Sequence, residues 1–373
     1  MFRLLVLGLL LLPLAAQKKS WTEAEVMAVH RSALLIDGHN DVTSRTVRGW
    51  DIGSEKDARH TSIGKLRAGG VGAQFFAAYV GASLIDSGGS ARRALEMIDT
   101  IRHDIVARHP DHFTLAVTAD QIEAAHRAGK IAALIGIEGG HAIENEPRLL
   151  RAFYDLGARY MTLTHTRNLD WAGSSAEKEE RGLSELGRRI IAEMNRLGMM
   201  VDIAHVSDKT FWDVVEASRA PVFSSHSSAR ALSNIPRNMS DDMIRAVARK
   251  GGLVMINLGC EFISQRSADT SPWINPNLPK NARCQQATLE ETVAHFSHIR
   301  KIAGVDFIGL GSDFDGVSCT PLGLEDASKW PNLTRRLLET GFSPEDIRKI
   351  YSGNFLRFMR EVEKTARDLA PAR

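Results

Sequence analysis

The sequence predicts an α/β protein, a (β/α)8 or TIM barrel forming one domain. Three observations lead there. A strand-like apolar run recurs eight times, helical patterns lie between the runs, and no linker rich in Gly, Ser and Pro divides the chain. Short continuous apolar stretches that end in polar residues are what parallel strands buried on both faces look like. Strands alternating with helices imply a parallel sheet with the helices outside. A doubly wound open sheet is the competing architecture, but its GxGxxG fingerprint after the first strand is missing.

Taken in order, the first two runs are 34–41 and 71–80, the second entered through Gly69-Gly70. The third is 131–138, followed by a helix that Pro147 begins and Gly157 ends. The fourth is 158–165 and the fifth 199–205. Ser207-Asp208 then caps a helix through Phe211, Val214 and Val215. After the sixth run, 221–226, Ser240-Asp241-Asp242 puts two acids in a first helical turn, at the positive end of the dipole; that helix stops at Gly251. The seventh run, 252–258, leads into a segment from Cys260 to Gln286 without clear periodicity, read as a binding loop at the barrel mouth or a solvated insertion. The eighth run is 306–313, and Ser343-Pro344 opens a late helix.

The 373 residues are 43% hydrophobic and 25% charged, which excludes disordered and collagen-like classes. Lys plus Arg is 47 against 45 acids, and this near balance argues against a nucleic-acid partner. Met1-Phe2-Arg3, an apolar stretch from Leu4 to Leu12 and Ala15-Ala16 read as a signal peptide over residues 1–16, with an uncleaved anchor as the alternative. The barrel domain would then be 17–373. The protein is expected to be exported, periplasmic or secreted, with no stable membrane anchor after cleavage; the C-terminus carries no GPI signal. Export permits disulfides. Of three Cys, Cys260 and Cys284 flank the mouth loop and could pair, leaving Cys319 free, or all three could be reduced thiols; the sequence does not separate the two.

Barrel enzymes carry their reactive groups at the C-terminal ends of strands. Here the runs end at His39 and Asp41, Glu138, His205, His226 and Asp313. Side chains two apart on a strand point the same way, so His39 and Asp41 can grip one ion, with Asp37 deeper as support. Nitrogen and carboxylate ligands without thiolate suit zinc, with manganese or cobalt as alternatives. Six ligands are too many for one tetrahedral zinc and suit two ions sharing a carboxylate, an arrangement that supports hydrolysis at neutral pH. No GxSxG nucleophile motif is present.

The stretches Ile36-Asp37-Gly38-His39-Asn40-Asp41, Ile137-Glu138-Gly139-Gly140-His141, Thr162-Leu163-Thr164-His165, Asp202-Ile203-Ala204-His205, Ser224-Ser225-His226 and Gly311-Ser312-Asp313-Phe314-Asp315-Gly316 run in order along the chain. As a set they resemble the membrane (renal-type) dipeptidase family, peptidase family M19, amidohydrolase-like metallopeptidases. The resemblance implies a zinc-dependent hydrolase that cleaves dipeptides through a metal-bridging hydroxide. It places one Zn2+ on His39, Asp41 and Asp313, the other on His205 and His226, and makes Glu138 the bridge. It also implies that His165 stabilises the oxyanion and that Arg237, in Pro236-Arg237-Asn238, anchors the substrate carboxylate. Arg230 is a rival anchor. Asp313 is the candidate to carry the proton to the departing amine, His141 and Asp315 are assigned support, and a homodimer fits the resemblance. Two departures, His60-Thr61-Ser62 and Val42-Thr43-Ser44, stand near the expected substrate rim and bear on side-chain preference.

Two other functions compete with this reading. An amidohydrolase acting on a cyclic amide, lactone or phosphoester often bridges its metals with a carboxylated Lys on strand four, but no Lys lies between Lys130 and Lys178. An exported binding protein with structural zinc would fill every metal position with protein ligands.

Overall fold

The computed structural model describes residues 20–279 and 281–370, so the signal-peptide reading of residues 1–16 lies outside the described residues. Among the described residues are nine parallel strands: β1 (Leu35–Asp37), β2 (Val71–Tyr79), β3 (Phe113–Leu115), β4 (Ile131–Glu138), β5 (Ala158–Thr162), β6 (Met200–Asp202), β7 (Phe223–Ser224), β8 (Leu253–Ile256) and β9 (Ile308–Leu310). Their order is β2-β1-β9-β8-β7-β6-β5-β4, and pairing of β2 with β4 closes the cylinder. Each of the eight expected runs supplies one barrel strand. The ninth, β3, pairs with Ile131–Ala133 of β4, below the part of that edge taken by β5. It escaped the sequence because three residues are too few to display a period.

Helices start where cap chemistry places them. Ser207 accepts from Thr210 N to cap Asp208–Ala217, and Ser240 accepts from Met243 N to cap Asp241–Arg249. Pro147 sits in the first turn of the helix Pro147–Asp155, and Ser343 caps Pro344–Arg348.

The strand period of two sorts the core. On β4, Ala132 and Leu134 face the barrel interior with Phe75, Tyr160, Phe223 and Met255, while Ile131, Ala133, Ile135 and Ile137 face the helices. Gly136 and Glu138 continue the inward row. Gly136 is required there, since a Cβ would lie 1.9 Å from the Tyr160 ring. The missing side chain lets Tyr160 cross the barrel. Below, Phe355 and Phe358 of the helix Asn354–Leu369 close the interior against Phe75 and Phe223, at ring separations of 5.5 and 5.0 Å.

Two expectations are corrected. Six of the runs overshoot by two or more residues: the ladders stop at Asp37, Thr162, Asp202, Ser224, Ile256 and Leu310. The last residues of these runs leave the sheet to reach the barrel mouth, and at His205 (φ 68°) and Asp313 (φ 60°) they do so in the left-handed region. Non-glycine residues are held there only by their surroundings, and such strain gathers at functional sites. The cysteine pairing also differs. Cys260 is bonded to Cys319, with Cα atoms 5.4 Å apart, and Cys284 is the free thiol. Cys260 and Cys319 follow the adjacent strands β8 and β9, and Cys260 N donates to Cys319 O at 2.9 Å. Strand adjacency outweighs closeness along the chain.

Candidate metal centre

Glu138 ends β4 on the inward row, and the rest of the site is built around its carboxylate. Oε2 lies 3.4 Å from His39 Nε2, while Oε1 lies 3.1 Å from His205 Nε2 and 3.5 Å from His226 Nε2. His39 Nε2 is also 3.2 Å from Asp41 Oδ2, and the two imidazole Nε2 atoms of His205 and His226 are 3.0 Å apart. Three overlapping groups offer ligand atoms within 4.8 Å of one another: His39, Asp41 and Asp313; His39, Glu138 and His226; Glu138, His165 and His205. All six expected metal residues therefore converge.

The spacing fits metal ions. A tetrahedral zinc with bonds of about 2.0–2.1 Å separates its ligand atoms by about 3.3 Å. The tautomers fit as well. His226 Nδ1–H donates to Ser225 Oγ (2.7 Å), which donates to Asp202 Oδ2 (2.6 Å). His39 Nδ1–H donates to the Tyr160 hydroxyl (2.8 Å), which donates to Gly38 O. Each bond leaves the Nε2 lone pair aimed at the centre, the usual arrangement behind a metal-binding histidine.

The electrostatics point the same way. Burial, together with Arg237 and His165, holds His205 well below the usual imidazole range; burial and His39 do the same for His226. Both are neutral, as ligands must be. Burial pulls His39 down, but Tyr160, Glu138 and Asp41 outweigh it and hold it well above that range, so without a cation its Nε2 holds a proton that a metal ion would displace. Burial raises Asp313, and Asp41 and Glu138 push it further, well above the usual carboxylate range. Three buried carboxylates thus crowd one place with too little positive charge from the chain, which a divalent cation would supply.

Support comes from residues without a metal-type signature. Asn257 Nδ2 donates to Asp313 Oδ2 at 2.8 Å, orienting that carboxylate. Asp37 accepts from Ser312 N (2.8 Å) and Ser312 Oγ (2.6 Å), tying the ends of β1 and β9 as Asp202 ties β6 and β7. Asp37 is structural, as expected. Sequence reasoning missed Tyr160, Ser225 and Asn257; the Ser224-Ser225-His226 stretch was the only pointer to any of them.

His165 packs its ring on His205 (4.4 Å) and Tyr79 (4.9 Å), with Nε2 3.7 Å from Glu138 Oε1. Burial lowers it and keeps it neutral at pH 7. Arg237 is buried, donates to Ser227 Oγ and His226 O at 3.2 Å each, and leaves Nε without a partner. Burial brings its guanidinium down to about 10, still charged at neutral pH. Its rival Arg230 is committed elsewhere, gripping both oxygens of Asp208 at 2.7 Å. His141 reaches Gly81 O, and Asp315 N donates to His60 Nδ1.

Above these groups opens a cavity of about 370 Å³, lined by Asp41, Glu138, His165, His205 and Asp313 at its floor. Tyr79, Glu261, Phe262 and Trp273 also line it, so the 260–286 segment is a cavity wall as much as an insertion. Ser44, in one of the two departures from the family pattern, stands on the same lining.

A family model described as membrane dipeptidase, peptidase family M19, matches residues 23–373. The chain belongs to the membrane dipeptidase family. It is 36% identical over 353 residues to Dipeptidase 3 of Rattus norvegicus, covering 91% of this chain and 67% of that protein. Among solved structures it is similar to a metallopeptidase from Rhodobacter sphaeroides liganded with a phosphinate mimic of L-Ala-D-Ala. That match has 26% identity and a TM-score of 0.77, over 88% of this chain and 99% of the other. The fold is shared with the probable dipeptidase PvdM of Pseudomonas aeruginosa, at a TM-score of 0.82 and 22% identity over 92% of this chain and 99% of that one. This member of the family is a metal-dependent hydrolase with an amidohydrolase-like barrel.

Proposed function

We propose that the chain hydrolyses the peptide bond of dipeptides at a centre of two zinc ions, one on His39, Asp41 and Asp313, the other on His205 and His226, with Glu138 between them. The observation that carries this reading is the division of the Glu138 carboxylate, Oε2 toward His39 and Oε1 toward His205 and His226. Two such ions supply a Lewis acid for the scissile carbonyl and a water activated at neutral pH. The chain's own residues do the rest. His165, neutral and hydrogen-bearing on one ring nitrogen, donates to the oxyanion that develops on the carbonyl. Arg237 offers its unpaired Nε–H to the free carboxylate of the substrate, which limits substrates to two residues. Asp313, held by Asn257, carries a proton to the departing amine.

Metal analysis of the purified protein with a substrate panel tests this. About two zinc ions per chain and turnover of dipeptides are expected; hydrolysis of lactones or phosphotriesters alone would overturn it. His205→Ala and Asp313→Ala should each abolish turnover while the barrel stays folded. Export rests on the pattern of residues 1–16, and the Cys260–Cys319 disulfide supports it, since such bonds belong to oxidising compartments. A mature protein beginning after Ala16 is expected on N-terminal sequencing.

A further inference from the structure

Five carboxylates line the cavity: Asp41, Glu138, Asp313, Asp315 and Glu261. The first three belong to the metal centre, and Asp315 is held against His60 by two backbone contacts. Glu261 has only its own backbone N–H and a thiol against its carboxyl group. It lies on the short helix Cys260–Ile263 and is only 5% exposed. Among the described residues no Lys, Arg or His comes within ion-pair distance of it. The one side chain that contacts its carboxyl group is Cys284, with Sγ 3.9 Å from Oε2. Burial pushes the Cys284 thiol up to about 12, so this neighbour stays a neutral, weak donor and supplies no counter-charge.

A carboxylate withdrawn from water without a counter-ion is costly, and the surroundings show what would offset the cost. Phe262 and Trp273 stack at 5.8 Å beside Glu261, and Tyr79 faces the same space. Aromatic faces attract cations as well as covering apolar stems. The Phe262 ring already takes one, the Arg237 guanidinium at 5.0 Å from its centroid. The wall is held in place, because Cys260, next to Glu261, is bonded to Cys319.

We propose that Glu261 is a specificity-determining residue that selects dipeptides with a positively charged side chain, whose stem lies along Phe262 and Trp273 and whose ammonium or guanidinium group pairs with the Glu261 carboxylate. The proposal rests on the dipeptidase reading above. An aromatic wall without the carboxylate would favour apolar side chains instead.

Matched dipeptides separate the two. On the zinc-loaded enzyme, kcat/KM is measured for Lys against norleucine and against Nε-acetyl-lysine, at each of the two dipeptide positions. Lys should exceed both neutral analogues by about tenfold or more at one position. In Glu261→Gln that ratio should fall to about one, and in Glu261→Lys the preference should move to Glu-bearing dipeptides. Norleucine cleaved as well as Lys at both positions, or a ratio unchanged in Glu261→Gln, overturns the proposal. The wild-type comparison stands even if a variant fails to fold. Cleavage of the neutral dipeptides without preference sinks this inference alone, whereas no cleavage of any dipeptide sinks the dipeptidase reading with it.

Discussion

At the scale of single residues, the candidate metal centre depends on groups outside its six converging side chains. Ser225 stands between His226 Nδ1 and Asp202, accepting from one and donating to the other. Ser225→Ala removes that support with little change in volume. Zinc affinity, read by competition with a chelating dye, should drop about tenfold to a hundredfold in a protein that remains folded. An unchanged affinity would leave Ser225 with a packing role only. Arg237→Lys keeps the charge but loses the planar fork, and should lower kcat/KM for dipeptides about tenfold or more, chiefly through KM. The six converging side chains were legible in the sequence because imidazole and carboxylate at strand ends carry a chemical signature. Tyr160 and Asn257 were not, because a phenol or an amide becomes support only through the group it happens to face.

Among the elements, the helix Leu289–Ile302 helps to hold the cavity wall. Its buried His295 accepts from Ala229 N through Nδ1 (3.0 Å) and donates from Nε2 to Ile263 O (2.9 Å), joining the loop after β7 to the wall segment. A second proton on Nδ1 would face the Ala229 N–H, and burial holds this imidazole down at about 4. Its unfolded value is about 6.5, so between these limits the unfolded chain binds more protons than the folded one. The contribution is therefore complete above about pH 6.5 and is lost as pH falls toward 4, on the order of 3 kcal/mol in all. Urea unfolding at pH 7 and pH 4.5 should show a smaller acid loss in His295→Gln than in the wild type; equal losses would refute the assignment. Helix starts at Ser207, Ser240 and Ser343 were readable because a cap is a local bond, made within three residues. Strand ends were not, since a ladder stops where its neighbour stops.

Across the whole molecule, one covalent bond links the segments that follow β8 and β9. Cys260 and Cys319 are 59 residues apart. Closing a loop of that length stabilises a fold by about 4 kcal/mol on chain-entropy grounds, and by about 2–4 kcal/mol in typical cases. Reduction should lower the unfolding free energy by that amount, and without reductant the unfolded protein should take up one alkylating group, at Cys284. Three groups taken up, or no shift on reduction, would contradict the pairing.

The amino-acid order by itself determined the barrel, its eight strands and the six metal-seeking side chains. These rest on short-range periodicity and on residue type, both written along the chain. The pairing of Cys260 with Cys319, the commitment of Arg230 to Asp208, the left-handed turns at His205 and Asp313 and the exposure of Glu261 to the cavity were decided only in three dimensions. Each depends on which segments become neighbours when β2 meets β4 and the cylinder closes, and no local pattern carries that distance.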